Sequence, residues 1–287
     1  MIPIYFTGGW HPKNKRGLEL IPHIQQWKGE RDGLILAGNL DENILQNYDN
    51  IIFGPGVDFN YALDYCKKYC SHKIIRLNVL SPWVKKIFDT YIPNPKVTYI
   101  TLPFPVDVER FQPINKKKRF FIYVKHVEKH RIEHISNLVH QCMDLLHEYE
   151  YRTFTYGSYQ ENDYLDYIQS AQFGIWVDAH ESQGFALEEA LSCDCPLFVY
   201  DITSMKDECM DDGHHPWAYI SFDLLATSAS YFDETCGVIC KKKEELHNMF
   251  LSFFQVLPQF TPRQFVLENL TTKQFMERLE HIIKYTA

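Results

Sequence analysis

Short apolar runs recur along the chain, each separated from the next by about the length of one helix. Residues 2–6 (IPIYF), 33–38 (GLILAG), 50–56 (NIIFGPG) and 73–80 (KIIRLNVL) form a first series. Residues 120–124 (FFIYV), 152–157 (RTFTYG), 173–177 (FGIWV) and 197–200 (LFVY) form a second. Runs without polar alternation suit strands buried on both faces of a parallel sheet. Helices are expected near 16–27, 60–69, 133–148 and 163–170, and Ser81-Pro82 opens another at Trp83. Residues 227–232 and 236–239 read as the last strand region, and helical patterns over 244–256 and 272–284 close the chain. Strand and helix in alternation predict an α/β protein, and the break between the series predicts two domains. The break is the stretch 96–113, which carries three prolines and no helical period and reads as an interdomain crossing.

One stretch organises the second series. After the apolar run at 173–177 comes His180-Glu181-Ser182-Gln183-Gly184-Phe185, then a helical segment to Pro196 and the run at 197–200. Gly184 sits at the turn, where backbone must come close to a neighbour, and the helix begins at Phe185. A helix N-terminus presents unbonded N–H groups and the positive end of its dipole, which suits phosphate. Glu181 and Glu189 flank this anion site with seven residues between them. Carboxylates repel phosphate, so their partners there are hydroxyl groups, and an ionised Glu accepts from two neighbouring hydroxyls of a sugar ring. Phosphate with diols on either side describes a sugar nucleotide. The plain alternative is a surface helix with an acidic face, and Glu188 competes with Glu189. In the functional reading Glu189 lies on an exposed helix face.

The string ESQGFALEEALSCDCP resembles the E-S-x-G-x-x-x-x-E-A-x-x-x-x-x-P motif of retaining GT-B glycosyltransferases, in particular glycosyltransferase family 4 (glycosyl transferases group 1). The segment from Val97 to Pro113 is similar to that family's V-x-x-I-P-x-x-V-D-x-x-x-F-x-P linker. The resemblance implies a GT-B fold: two Rossmann-like domains with parallel sheets facing across a cleft. Their expected spans are 1–104 on the acceptor side and 105–270 for the donor, with a helix at 271–287 returning to the first. It implies that Glu181 touches the donor sugar, that the amides of Gly184 and Phe185 hold the diphosphate, and that Glu189 binds the ribose. Family members end the first strand of this domain in Gly-Arg, with a Lys a few residues on. Here Lys125 stands for the Arg and Lys129 for the Lys, with Val124 and His130 in place of glycines. The spacing is one residue short, so Arg131 is an alternative second cation. Gly8 and Gly9 correspond to a loop facing the donor phosphates and the acceptor, although a tight turn explains paired glycines equally. His11 and Asp58 are candidates for acceptor contacts.

Composition narrows the partners. The chain has 287 residues, 45% of them apolar, and a formal charge of −8. That balance argues against a nucleic-acid partner held through phosphate neutralisation. No apolar run reaches 18 residues and the N-terminus lacks a signal-peptide pattern, so a cytoplasmic location is expected. The Phe-rich helix over 244–256 reads as a core element, with peripheral membrane contact left open. The eight cysteines are expected as free thiols. His214-His215 has no third ligand at a recognisable spacing and reads as a loop, so no metal is expected. The basic run 116–119 reads as a solvated opening to the second domain.

The expected activity is transfer of a sugar from a nucleotide-sugar donor to a hydroxyl of a glycan, glycoconjugate or other acceptor, with retention of configuration. No cofactor or metal is needed where Lys125 and the helix start neutralise the leaving diphosphate, which itself takes the acceptor proton. A nucleotide-sugar epimerase, a phosphorylase-like enzyme and a non-catalytic carbohydrate- or partner-binding module remain alternatives on the same scaffold.

Overall fold

The computed structural model describes residues 2–39, 44, 48, 50–55, 75–220 and 224–285. The chain divides into two units, Met1–Pro105 with Leu270–Ala287, and Val106–Asn269. The helix expected at 60–69, with Cys66 and Cys70, lies outside the described residues.

The first unit is built on a six-stranded parallel sheet of β1 (Ile4–Thr7), β2 (Gln25–Gln26), β3 (Leu34–Ala37), β4 (Ile51–Phe53), β5 (Ile75–Asn78) and β6 (Val97–Ile100). Their order across the sheet is β2-β1-β3-β4-β5-β6. All four residues of β3 are buried, as the unbroken apolar run requires. Helices α1 (Pro12–Glu19) and α2 (Pro82–Tyr91) belong to this unit. Two expectations are corrected here. The helix drawn over 16–27 ends at Glu19, because Pro22 cannot continue it and His23 has a φ of 60°. The residues beyond pair with β1 as the short strand β2. The stretch 96–113 is not wholly a crossing, since its β-branched and aromatic start forms β6, with Val97, Tyr99 and Ile100 buried. Asn78, a polar residue at the end of a buried strand, is fully used: it donates to the Leu102 carbonyl at 2.8 Å and accepts from the Leu80 and Leu102 amides at 3.0 Å. Phe104 then packs edge-on against Trp10 at 5.7 Å and stacks on Phe275 at 6.2 Å. A Cβ at Gly17 would come within 2.8 Å of Phe104 Cβ, so glycine lets α1 approach it.

The second unit has a five-stranded parallel sheet of β7 (Arg119–Lys125), β8 (Glu150–Thr155), β9 (Phe173–Asp178), β10 (Leu197–Tyr200) and β11 (Gly237–Cys240). Its order is β11-β10-β9-β7-β8. The chain moves outward from β7 to one side and then to the other, so the connections diverge between β7 and β9. In open parallel sheets that divergence leaves a crevice at the strands' carboxyl ends. Helices α3 (Lys129–Gln141), α4 (Met143–Leu146), α5 (Glu161–Ile168), α6 (Phe185–Ser192), α7 (Leu246–Gln255) and α8 (Pro262–Asn269) complete this unit. The final helix, α9 (Thr272–Tyr285), belongs to the first unit. The Phe-rich face of α7 is core: Phe250 and Phe253 are fully buried with Phe173 and Phe198. Residues 227–232 form no strand. They run as an irregular loop whose polar side chains are taken by Asp201 and by the backbone of Glu181.

The largest correction concerns α6. Every residue from Ala186 to Ser192 is buried, so it is not a surface helix with an acidic face, and Glu189 is 2% rather than substantially exposed. The cause lies in what surrounds it. Helix α8 packs against α6, and two cations meet the carbonyls at its C-terminal end. Lys116 Nζ donates to the Cys193 carbonyl at 2.7 Å, and Arg263 Nη1 to the Ser192 carbonyl at 2.6 Å. Both answer orphan carbonyls and the negative end of the dipole. Lys116 is therefore not a solvated residue of a basic run. The six described cysteines are free thiols, and no described helix is long and apolar enough to cross a membrane.

Candidate functional site

Strand register brings the site together. Tyr123 on β7 pairs with Trp176 on β9, and two residues on Lys125 pairs with Asp178. Alternation places all four side chains on one face of the sheet, with the last pair at the carboxyl ends where the connections diverge. The Tyr123 and Trp176 rings stack at 3.9 Å with planes 4° apart, a rigid floor beneath the ionisable pair. Lys125 Nζ forms an ion pair with Glu181, whose side chain is 17% exposed against 14% for Lys125. The same ammonium lies 4.8 Å from the centre of the Tyr156 ring. Burial alone would lower the Lys125 pKa, but Glu181 and Asp178 hold it above the usual lysine range. Burial pushes the Glu181 carboxyl up, and Lys125 overrides this and keeps it below the usual value. Asp178 is different: burial raises it well above the usual range, Lys125 opposes this, and Glu181 adds to it.

The Glu181 backbone is fixed from a neighbouring loop. Its N–H donates to the Thr227 carbonyl at 3.1 Å, and its carbonyl accepts from Ser230 Oγ. Asp201, 1% exposed and just beyond β10, anchors that loop. It accepts from the Ser228 amide at 2.7 Å, Ser228 Oγ at 2.9 Å and Thr227 Oγ1 at 2.8 Å. Gly184 caps α6 with φ 91° and ψ 50°, the left-handed region. A Cβ there would meet nothing nearer than 3.6 Å, so backbone conformation rather than space calls for glycine. Its turn leaves the first amides of α6, from Phe185 onward, without intrahelical acceptors. Glu188 is fully buried and accepts from Gln183 Nε2 at 2.9 Å, while Glu189 lies close to Tyr164 and Cys193.

Thus Lys125, Glu181, Gly184, Phe185 and Glu189 share one unit and the carboxyl side of one sheet. Lys129 is exposed at the first turn of α3. Arg131 is engaged elsewhere: Nη2 donates to the carbonyls of Tyr200 and Asp201 at 2.8 and 2.9 Å, and its guanidinium covers the Tyr200 ring at 3.8 Å. Gly8, Gly9 and His11 belong to the first unit. A Cβ on Gly8, whose φ is 91°, would lie 2.7 Å from the Asn39 amide, so loop packing accounts for that glycine. His11 caps α1, accepting from the Lys13 amide through Nδ1 at 3.4 Å. Asp58 lies outside the described residues.

Sequence reasoning missed four neighbours of this cluster. Asp178 closes β9 directly opposite Lys125. His180 Nδ1 lies 3.5 Å from Glu208 Oε2, and Glu208 also accepts from the Trp217 indole. Burial lowers the His180 pKa to about 4, leaving it neutral at pH 7, and burial raises Glu208. The segment is tied down where the Cys209 amide donates to the His126 carbonyl at 2.8 Å. The signal for it was the aromatic residue within His214-His215-Pro216-Trp217, passed over as loop. Among the described residues no group of three or more His, Cys, Asp or Glu is arranged to hold a metal ion.

Neither a protein-family model nor a curated protein matches the chain. Solved structures do. The chain superposes on TarM with a TM-score of 0.55 and 11% identity, covering 87% of this chain and 54% of that one. The pneumococcal O-GlcNAc transferase GtfA, in complex with UDP and GlcNAc, gives 0.52 and 11%, with 94% and 58% covered. The GtfA/B complex gives 0.51 and 14%, with 88% and 56% covered. The chain spans a little more than half the length of these proteins. The two parallel α/β sheets and these likenesses assign it the GT-B fold.

Proposed function

We propose that the chain transfers a sugar from a nucleotide-sugar donor to a hydroxyl of a glycan or glycoconjugate, with retention of configuration and without a metal ion. One observation carries this reading: the Lys125–Glu181 ion pair stands at the carboxyl ends of β7 and β9, on the same side of the sheet as the Gly184-capped start of α6. A cation and a helix N-terminus are what a leaving diphosphate requires, and they stabilise the negative charge that grows on it as the glycosidic bond breaks. Glu181 accepts from hydroxyls of the donor sugar, and Glu189 from those of the ribose. The diphosphate competes with Glu181 for Lys125, so donor binding rearranges the pair. The departing phosphate oxygen then takes the proton of the acceptor hydroxyl. The fold is shared with a transferase whose structure contains UDP and GlcNAc, which supports a nucleotide-sugar ligand.

Thermal melting with UDP-, GDP-, ADP- and TDP-sugars tests the proposal. A ligand of the native state raises the midpoint by mass action. One of these donors is expected to do so, and to lose the effect in Lys125→Ala. No shift with any of them would overturn a donor-binding role.

A further inference from the structure

Two aspartates end adjacent strand regions of the second sheet, and their surroundings are opposite. Asp201 is 1% exposed and accepts three hydrogen bonds between 2.7 and 2.9 Å, the setting a buried carboxylate needs. Asp178 is 0% exposed, and no hydrogen bond of ordinary geometry reaches either of its oxygens. The Trp176 indole on β9 and the Glu181 carboxyl nonetheless lie close enough to act on it. Trp176 Nε1 likewise lacks a hydrogen bond of ordinary geometry. From β7, Lys125 is the register partner of Asp178, and Tyr123 stands two register pairs below, on the same face. His126, Tyr156, His180 and Glu208 complete the ionisable surroundings of the Lys125–Glu181 pair. A carboxylate buried this way, with no donor at ordinary hydrogen-bond geometry, costs more than the neutral carboxylic acid.

We propose that Asp178 works in its protonated form as a positioning residue, giving Glu181 a hydrogen-bond donor so that Lys125 can turn to the donor's diphosphate without leaving Glu181 unpaired. The inference rests on the donor-binding reading above. With Asp178 neutral, Lys125 and Glu181 cancel, and an incoming diphosphate meets no net negative charge. An ionised Asp178 would add a second carboxylate beside Glu181 and repel the ligand. The arrangement also accounts for a polar rather than an apolar residue opposite Lys125: a side chain that can donate a hydrogen bond serves Glu181 when the ammonium moves.

The test measures calorimetric affinity for UDP, GDP, ADP and TDP at pH 7 in the wild type, Asp178→Asn and Asp178→Leu. Asparagine keeps a donor in the same shape, and leucine keeps the volume without one. Asp178→Asn is expected to bind within about threefold of the wild type, and Asp178→Leu about tenfold or more weaker, the loss of one hydrogen bond to a charged group. If asparagine loses as much as leucine, the ionised form is the one that matters and the proposal fails. If leucine binds as well as the wild type, no donor is needed and it fails equally. If the wild type binds none of the four nucleotides, the donor-binding reading itself falls. Carbon-13 carboxyl spectra of wild-type protein labelled at aspartate give a check that needs no variant. One aspartate still protonated at pH 7 agrees with the proposal, and full ionisation overturns it.

Discussion

Lys125 and Glu181 stand 56 residues apart in sequence and form an ion pair between the last residue of β7 and the loop after β9. Neither group is free to solvent, at 14% and 17% exposure, so the pair is held in surroundings where removal of one partner is felt by the other. The two residues proposed to serve the donor are therefore each other's ligand before the donor arrives. Two predictions follow from this cluster alone.

Lys125→Ala strands the Glu181 charge and is expected to destabilise the second unit by about 3 kcal/mol, the lower end of the cost of breaking a buried pair. The double variant Lys125→Met with Glu181→Gln removes both charges and should recover most of that stability. Its turnover should remain lost, because the cation that stabilises the leaving diphosphate is gone and the helix start alone is left. Urea denaturation followed by kinetics checks both points. A double variant no more stable than Lys125→Ala would show that the pair is not the source of the loss.

The two carboxyl groups beside Lys125 oppose each other in pH. Glu181 is depressed, so its stabilisation is present above its ordinary 4.5 and fades as pH falls through the folded value. Asp178 is raised, so above its ordinary 3.8 the unfolded chain ionises while the folded one stays protonated, which costs stability as pH rises. Asp178→Asn removes that cost. It should melt higher than the wild type at pH 7, with the difference closing as pH falls below about 4, where the unfolded carboxyl is protonated too. A variant that melts lower at pH 7 would mean that Asp178 is charged in the fold.

What the sequence made legible follows from range. Gly184 and the helix from Phe185 were readable because a glycine turn and a helical run are local matters, and Lys125 because it holds the place of the arginine that ends this strand in the motif the chain resembles. Asp178 was hidden: its meaning comes from a register partner on another strand. The burial of Glu189 was equally hidden, because it depends on what packs around α6, including α8 from far along the chain. The same holds for 227–232, whose alternation suggested a strand. Its side chains instead satisfy Asp201, about 26 residues earlier.

That loop gives a third prediction. Asp201→Ala removes three acceptor contacts from buried donors and frees Thr227 and Ser230, which hold the backbone of Glu181. Stability should fall by about 3 kcal/mol, a sum of hydrogen bonds to one charged group after partial relaxation. Because Glu181 is displaced while α6 keeps its start, kcat should fall more than affinity for the free nucleoside diphosphate. Equal losses in both would show that the loop supports the whole site rather than Glu181.

The two neighbouring glutamates of α6 should separate cleanly. Glu188 Oε2 is engaged within the fold by Gln183, so Glu188→Gln is expected to change melting temperature and leave nucleotide affinity within about twofold, the ordinary reach of a structural change away from a ligand. Glu189→Ala should weaken nucleoside diphosphate binding by about 1.5 to 3 kcal/mol, or roughly tenfold to a hundredfold. Calorimetry on the two variants decides it. The reverse pattern would move the ribose role to Glu188.

Stereochemistry is the strictest test of the proposed reaction. Inversion requires a base on the face of the sugar opposite the leaving group, positioned to take the acceptor proton. In the proposed geometry the charges gather instead on the leaving-group side: Lys125 and the first amides of α6 hold the diphosphate, and Glu181 holds the sugar's hydroxyls. The strongest base near the reacting carbon is then the departing phosphate itself, which deprotonates an acceptor arriving on that same side. An α-linked gluco-configured donor should accordingly give an α-linked product, read from the coupling of its anomeric proton by NMR. The same logic makes the rate insensitive to EDTA, since Lys125 and the helix start supply the neutralising charge. A β-linked product would leave the donor site standing and remove the same-side mechanism. Activity abolished by EDTA and restored by Mn²⁺ would remove the metal-free one.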